Sequence, residues 1–311
     1  MLSSPHSVTI HPFGRCPNLF RPRGGGKQSH MSINILCIGD IVGRPGRMVL
    51  ADKLPAFIEE RKVDLVVANA ENAAGGSGLT PQIVKKLHRY GVDAITLGDH
   101  VFRKREIVQA MEQSDRIVRP VNLLPGAAGR RWTVVPTKDN RYQVAVTCAL
   151  GQMYMGNWNS PWQAVAKTLD EIPADVKIRV IDFHAEASSE KIAMGWYLNG
   201  KVSIVFGTHT HIPTADARVL DGGTAFISDV GMTGPYDGVL GRRKDRVLSV
   251  LTTSMPARFD VAEGDPRMCG MLVAVNPQTG KAESAERIEI QGQVAEGGAY
   301  DADDGQGRSH D

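Results

Sequence analysis

The sequence predicts an α/β fold, in which strands alternate with helices between residues 33 and about 212. Short apolar runs of strand length alternate there with longer segments whose apolar residues recur at helical spacing. This βαβ order is typical of a sheet with parallel strands and helices packed on its faces. Five of the runs also end in an Asp, Glu or His. Because ligand sites in open α/β sheets form beyond the carboxyl ends of the strands, this second pattern favours one site at that edge.

The predicted elements follow one another closely along the chain. The strand candidates, with the polar residues that follow them, are 33–38 with Asp40, 63–70 with Glu71 and Asn72, 92–97 with Asp99 and His100, 177–183 with His184, and 202–206 with His209 and His211. Helix candidates lie between them at residues 45–61, 80–90, 102–113 and 161–172. The second helix has the clearest bounds, because Thr80 and Pro81 form a typical start and Gly91 a typical end.

Beyond residue 212 the apolar runs shorten, and residues 224–230, 271–276 and 286–290 predict strands with few helices. We expect them to form a second sheet packed on the first, within one domain spanning residues 31–290. Residues 1–30 lack acidic side chains and are rich in Pro and Gly. They are interpreted as a disordered leader, or as an extension from an upstream start codon. Residues 291–311 are rich in Gly, Asp and Gln and predict a disordered tail.

The composition excludes several classes of function. With 42% hydrophobic and 23% charged residues, the 311-residue chain is ordinary for a globular protein. A net charge of +2 and the lack of an aromatic and basic strip argue against a long nucleic acid as partner. No apolar run reaches the roughly 18 to 20 residues of a membrane span. Four widely spaced cysteines without a C-x-x-C pair predict a reducing, cytoplasmic compartment.

The pair His209 and His211 is the first indication of a metal site. Two histidines at i and i+2 in extended backbone point to the same side of a strand end, and imidazole is a common metal ligand. Alone, such a pair could equally be an accident of packing. Four of the five histidines between residues 31 and 290 fall at strand ends, however, while His88 lies inside a helix and is interpreted as a surface or partly buried residue.

The carboxylates at the same strand ends strengthen this interpretation. Together with the histidines, Asp40, Glu71 and Asp99 form a mixed set that suits Mn, Fe or Zn better than Mg or Ca. The set is too large for one metal, and two metals about 3.5 to 4 Å apart are the usual arrangement for displacement at phosphorus. Each residue taken alone has another explanation: Asp40 could cap a helix, Glu71 could belong to a loop, and His184 could be packed in the core.

Six short motifs, in this order, resemble the YmdB-like family of calcineurin-type metallophosphoesterases. They are Asp40-Ile41-Val42-Gly43, Ala70-Glu71-Asn72-Ala73, Thr96-Leu97-Gly98-Asp99-His100, Asp182-Phe183-His184-Ala185-Glu186-Ala187, residues 207–216 and residues 228–237. The resemblance implies an αββα sandwich of two sheets with a dinuclear metal site. It also implies hydrolysis of cyclic nucleotide phosphodiesters, including 2′,3′-cyclic species.

Transferred position by position, the resemblance implies a role for each site residue. The implied ligands are Asp40, Asn72 and His211 for one metal, Asp99, His184 and His209 for the other, and Glu71 as the bridge. His100 would not bind metal but would protonate the leaving oxygen as general acid, while a hydroxide shared by the metals attacks phosphorus. Iron or manganese is expected, as divalent or mixed-valence ions, with zinc as the alternative. Arg44 is a further candidate substrate contact, or equally a surface charge.

One position departs from the family pattern, because Asp99 stands where the family has Asn in Gly-Asn-His. The extra carboxylate predicts tighter metal binding and a less electrophilic centre, and therefore a changed metal preference or a lower turnover. A competing interpretation pairs Asp99 with His100 instead of with a metal.

The sequence therefore predicts a metal-dependent phosphodiesterase acting on small cyclic nucleotides, 2′,3′-cyclic in the first place and 3′,5′-cyclic as an extension. Two alternatives stay open: a regulatory nucleotide-binding protein with vestigial hydrolysis, and a phosphatase acting on another phosphoester. Assembly into a homo-oligomer is also left open.

Overall fold

A computed structural model describes residues 32–293 of the chain, and the structural statements below refer to this part. The expected leader and all but the first residues of the expected tail lie outside the described residues. Two β-sheets pack face to face, and helices cover their outer faces. The αββα sandwich implied by the resemblance is therefore confirmed.

The first sheet combines parallel strands from the start of the domain with antiparallel strands from its end. In spatial order it contains β11 (Gly234–Pro235), β12 (Pro266–Val275), β1 (Ile33–Ile38), β2 (Val63–Asn69), β3 (Ala94–Thr96) and β4 (Ile117–Val118), and β13 (Ala282–Gln291) also pairs with β12. Gln291, expected to begin the tail, is the last residue of β13.

The second sheet has a parallel centre with antiparallel pairs at its edges. In spatial order it contains β5 (Trp132–Pro136), β6 (Gln143–Leu150), β7 (Ile178–His184), β8 (Ile204–Thr208), β10 (Ala225–Ile227) and β9 (Arg218–Val219). The parallel strands of both sheets direct their carboxyl ends toward the loops that carry the predicted site residues.

Helices cover the two outer faces of the sandwich. Those packed on the first sheet are α1 (Gly43–Arg61), α2 (Pro81–Tyr90) and α3 (Ile107–Gln113), those on the second are α4 (Pro161–Glu171) and α5 (Ser188–Leu198), and α6 (Lys244–Thr253) is mostly exposed. The predicted bounds of α2 are confirmed: the Thr80 hydroxyl accepts from the Ile83 amide at 3.3 Å, and Gly91 ends the helix with a φ of 107°.

The side chains of β1 show why its run is almost wholly apolar. Ile33, Ile35 and Cys37 point into the layer between the two sheets. Leu36 and Ile38 point the other way and pack under the helices. Because both faces of the strand are buried, its hydrophobic pattern is continuous instead of alternating.

The predicted division of strands between the sheets is wrong. β12 and β13, expected in a second sheet, belong to the first, where β12 pairs with β1 from Ile33↔Val275 to Ile38↔Gly270. The second sheet is built mainly from β6, β7 and β8, which the βαβ order placed with the earlier strands. Hydrophobic pattern identifies buried faces, whereas the choice of neighbouring strand depends on backbone hydrogen bonds that carry no side-chain signature.

Helix α5 was not predicted, for a physical reason visible in its burial. Its buried face includes Glu190 and Lys191 beside Met194, Gly195 and Leu198. Two ionisable residues on the inner face interrupt the apolar spacing by which an amphipathic helix is recognised.

The burial of α5 can be tested with a matched pair of leucine substitutions. Leu198→Ala removes a side chain with no exposed surface and should lower the free energy of unfolding by about 2 to 5 kcal/mol. Leu251→Ala on α6 removes a side chain of a residue that is 74% exposed and should change it by less than about 0.5 kcal/mol. Urea unfolding measures both, and equal losses would contradict the described packing.

Candidate metal centre

Four side chains meet where the carboxyl ends of the two sheets face each other. Glu71 and Asp99 follow strands of the first sheet, whereas His184 ends β7 and His209 follows β8 in the second. Each places one ligand atom within 4.8 Å of the others. His184 Nε2 lies 3.2 Å from Glu71 Oε1 and 3.1 Å from Asp99 Oδ1, so the contacts join the two sheets.

A second group of side chains also contacts Glu71. Asn72 Nδ2 is 3.0 Å from Glu71 Oε1 and 3.3 Å from His211 Nε2. His211 Nε2 is in turn 3.9 Å from Asp40 Oδ1. The structure therefore brings together every residue that the sequence proposed as a ligand. Glu71, implied to be the bridge, contacts both groups.

Two buried oxygens in the second group support a cation there. Asp40 Oδ1 and Asn72 Oδ1 have no hydrogen-bond partner among the described residues, although Asp40 is 0% and Asn72 3% exposed. Leaving a buried polar atom unsatisfied costs about 1 to 3 kcal/mol, so such atoms are uncommon in native structures. A cation bound by Asp40 Oδ1 and His211 Nε2, which lie 3.9 Å apart, would satisfy the Asp40 oxygen. The carboxylate, amide and imidazole donors fit a transition metal or zinc.

The acidic and basic side chains of the cluster shift one another's pKa values. Burial raises the pKa of Glu71, but the attraction of His184 and the hydrogen bonds from His100 and His184 outweigh it, and the pKa lies well below its usual range. Burial also opposes ionisation of Asp99, yet hydrogen bonds from His184 and His209 hold its pKa low. For His184, burial favours the neutral ring, but Glu71 and Asp99 raise its pKa well above the usual value. These negative carboxylates attract a cation, whether a proton on His184 or a metal ion.

His100 occupies a more open position than the other histidines of the cluster core. Its amide donates to Glu71 Oε2 at 2.9 Å, and its Nδ1 lies 3.1 Å from Glu71 Oε1. The hydrogen bond to Glu71 raises the pKa of His100. Its side chain is 26% exposed, compared with 0% for His184. Nδ1 is therefore engaged, and Nε2 is the nitrogen available to a substrate.

Asp99 faces both of its predicted partners, at different distances. Oδ1 lies 3.1 Å from His184 Nε2 and 3.5 Å from His209 Nδ1, within the cluster. Oδ2 is 3.8 Å from His100 Nε2, too far for a hydrogen bond. The geometry favours the cluster over a pair with His100.

A buried chain of hydrogen bonds fixes the ring of His184. Thr208 Oγ1 donates to Asp182 Oδ1 at 2.7 Å and lies 2.8 Å from His184 Nδ1. Because the hydroxyl proton is committed to Asp182, the hydroxyl accepts from Nδ1–H, and Nε2 is left to face the cluster. Asn69 and Thr96 donate to the other oxygen of Asp182, and burial raises the pKa of this carboxyl to about 6.

Extended backbone was expected at the two histidines, but they lie in a turn instead. His209 has a φ of 93° and His211 a φ of 65°, both in the left-handed region that few L-residues adopt. Asp229 accepts from the Thr210 amide at 3.2 Å and from its hydroxyl at 2.7 Å. Lys191 of α5, 2% exposed like Asp229, lies 2.6 Å from the same carboxylate. This ion pair supports the turn between the two histidines.

Sequence reasoning missed these supporting residues. Asp229 stands in a motif quoted for the resemblance, but nothing near it in sequence indicated a partner on α5.

Two further predictions concern His88 and Arg44. His88, expected at the surface or partly buried, is half-buried in the last turn of α2, with Nδ1 2.8 Å from the Val92 carbonyl oxygen. Arg44 lies exposed in the first turn of α1, and its contact with substrate stays a prediction.

Comparison with known proteins identifies the family of this chain. A sequence model described as YmdB-like protein matches residues 36–288. The chain belongs to the YmdB-like family. It is 42% identical over 258 residues to a Bacillus subtilis protein named 2′,3′-cyclic-nucleotide 2′-phosphodiesterase, covering 83% of this chain and 97% of that protein. It is also 30% identical over 270 residues to a putative phosphatase/phosphodiesterase of Mycoplasma genitalium, covering 83% and 93%.

Two solved structures share this YmdB-like architecture. A protein from Mycoplasma pneumoniae, described as a novel phosphatase, superimposes with a TM-score of 0.78 at 30% identity over 84% of this chain and 94% of its own. A hypothetical protein from Thermus thermophilus has a TM-score of 0.77 at 33% identity, over 83% and 99%. The family resemblance inferred from the six motifs is confirmed.

Support of the histidine turn by Asp229 can be tested by Asp229→Asn. The substitution leaves Lys191 buried without its counterion, so the free energy of unfolding should fall by about 3 to 5 kcal/mol. Metal affinity should fall by about 10- to 100-fold, as for other groups that orient metal ligands. Asp170→Asn, an exposed site on α4, is the matched control and should change neither quantity. Chelator competition measures the affinity, and an unchanged value in folded Asp229→Asn protein would contradict the supporting role.

Proposed function

We propose that this chain is a dinuclear-metal phosphodiesterase that hydrolyses 2′,3′-cyclic nucleotides, with 3′,5′-cyclic nucleotides as further substrates. As a member of the YmdB-like family it is a phosphoester hydrolase. The name of the Bacillus subtilis relative supports the cyclic nucleotide as substrate. The observation that carries the proposal is the convergence of two ligand groups on Glu71, one of them with two unsatisfied buried oxygens.

The proposed ligands divide between the two groups. Asp40, Asn72 and His211 hold one metal, Asp99, His184 and His209 hold the other, and Glu71 contacts both. Iron or manganese is the proposed metal, with zinc as the alternative, because the donors mix imidazole with carboxylate. Metal ions bound there would neutralise charge at phosphorus and make a nucleophile accessible at neutral pH.

The chain's own residues supply positioning and a proton. Glu71 holds His100 through Nδ1, so Nε2 points away from that contact and can protonate the ribose oxygen that leaves phosphorus. The hydrogen bond to Glu71 raises the pKa of His100, which favours the protonated ring that a general acid requires. The Thr208 and Asp182 chain fixes which nitrogen of His184 faces the metals. The left-handed turn carries His209 in the first group and His211 in the second.

The surroundings of the reaction follow from the same proposal. A small cyclic nucleotide is the proposed partner, in a cytoplasmic compartment. Three cysteines among the described residues are free and buried, which supports a reducing environment. No helix within residues 32–293 is long and apolar enough to cross a membrane.

The proposal is tested by metal analysis of the purified protein together with a panel of 2′,3′-cyclic nucleotides, 3′,5′-cyclic nucleotides and a generic phosphodiester. We expect up to two transition-metal ions per chain and hydrolysis of the 2′,3′-cyclic species. Single turnovers with added manganese separate the alternatives, since a bound but uncleaved cyclic nucleotide would support a binding protein. Absence of metal and of hydrolysis after reconstitution would contradict the proposed function.

The role of His100 predicts a dependence on the leaving group. His100→Asn should lower kcat for 2′,3′-cyclic AMP by about 10²- to 10⁴-fold, the usual contribution of general acid catalysis. It should have little effect on bis(p-nitrophenyl) phosphate, because p-nitrophenolate leaves without protonation. Metal content should not change, and His88→Asn on α2 serves as the matched control. Equal losses on both substrates would exclude the general acid role.

Asp99→Asn tests the departure from the family pattern. Removing one negative charge should weaken metal binding by roughly tenfold or more. Substitution of residues that only hydrogen-bond to the metal ligands already has an effect of this size. It should also raise kcat at saturating metal or shift the preferred metal, because the centre becomes more electrophilic. Asp221→Asn, an exposed position, provides the control. If neither metal content nor rate changes, Asp99 is not a ligand.

A further inference from the structure

Two neighbouring cavities lie at the side of the sandwich where β4 and β5 meet. They have volumes of about 550 and 330 Å³, and both are lined by Arg119, Pro125 and Arg131. Such volumes match those of small-molecule sites. None of the residues that line them belongs to the candidate metal centre, so the cavities are a separate feature.

Arg119 is the unusual residue of this region. Its side chain is buried, with only 3% of the residue exposed, and its Nε has no hydrogen-bond partner among the described residues. The guanidinium donates to the carbonyl oxygen of Pro120 at 2.8 Å, and no carboxylate of residues 32–293 lies within ion-pair distance of it. Burial and the nearby Arg131 both lower its pKa, which reflects the cost of the uncompensated charge.

The other charges around the cavities are also positive. Arg130 lines the larger cavity and Lys167 the smaller, and neither cavity has an Asp or Glu in its lining. Arg131 is the one cation with a neighbouring acid, since it lies 2.7 Å from Glu171. Arg130 donates only to the carbonyl oxygen of Ser114, at 3.2 Å. One carboxylate therefore stands against four cations.

We propose that these cavities form a binding site for a phosphate group, as inorganic phosphate or as a phosphate monoester. A buried cation is stable only when it is paired, and Arg119 lacks a pair within the chain. Planar guanidinium groups bind phosphate oxygens through two parallel hydrogen bonds, and Arg119, Arg130 and Arg131 offer three such groups around one space. A doubly charged phosphate balances the excess positive charge better than a singly charged carboxylate does.

The site would act independently of the hydrolytic reaction. Its residues come from β5, α4 and the segment after β4, whereas the candidate metal ligands follow β1, β2, β3, β7 and β8. Phosphate at Arg119 would stabilise the chain that follows β4, whose neighbouring strand β3 leads to Asp99. A phosphate monoester bound there would belong to the same chemical class as the product of the proposed hydrolysis, and it would not occupy the centre.

The test is titration of the full-length, metal-loaded protein with inorganic phosphate by calorimetry. We expect one binding event at Arg119 in addition to any at the metal centre, weakened by raised salt. Arg119→Gln should reduce the affinity of this event by roughly tenfold or more, the effect of losing hydrogen bonds to a charged group. Arg89→Gln, an exposed arginine on α2, is the matched control and should leave it unchanged.

A second variant protects the test against misfolding, since Arg119 is buried. Arg130→Gln combined with Lys167→Gln changes two exposed residues and should also weaken the event and its salt dependence. Titration with 5′-AMP distinguishes a phosphate monoester from inorganic phosphate as the ligand. If 5′-AMP competes with phosphate at this site, the ligand is a nucleotide. If 5′-AMP does not compete, the ligand is the free ion. The proposal is overturned if the wild-type protein shows no such event, or if it persists unchanged in the folded variants. Neither result bears on the metal centre, because Arg119, Arg130 and Lys167 are not among its proposed ligands.

Discussion

Burial of the Glu71 carboxylate is the constraint on which the site depends. The residue is 1% exposed, and an ionised carboxylate in such a place is stable only when charges and donors surround it. His184 comes from the second sheet, His100 from the loop after β3, and Asn72 is its neighbour in the chain. Because each partner comes from a different element, the two sheets must meet at one edge for Glu71 to be satisfied.

Carboxylates around this edge are compensated in three different ways. Glu71 is held by imidazoles, Asp229 by the buried ammonium of Lys191, and Asp182 by neutral hydroxyl and amide donors alone. Burial raises the pKa of Asp182 to about 6, although the charge of His184 and the hydrogen bonds from Thr208 and Thr96 oppose the rise.

The candidate ligands could be proposed from the sequence because they are local to strand ends. A run of buried residues followed at once by Asp, Glu or His needs no knowledge of distant contacts, and all seven predicted ligands converge. The sheet of β12, the helix α5 and the partner of Asp229 could not be found in this way. Each depends on contacts between residues far apart in sequence, such as the 38 positions between Lys191 and Asp229.

The backbone of the histidine turn was also beyond sequence reasoning, for a different reason. Histidine at i and i+2 is compatible with an extended strand, whereas the structure has a left-handed conformation at both residues. Hydrogen bonds to residues distant in sequence, from Thr210 to Asp229 and from the His209 amide to Asp40, support this conformation. A left-handed residue other than glycine costs of order 1 to 3 kcal/mol. The free energy of folding offsets this cost before any ligand binds. The two rings are therefore preorganised, and metal capture need not include a rearrangement of the main chain, which would favour fast loading and retention at low metal concentration.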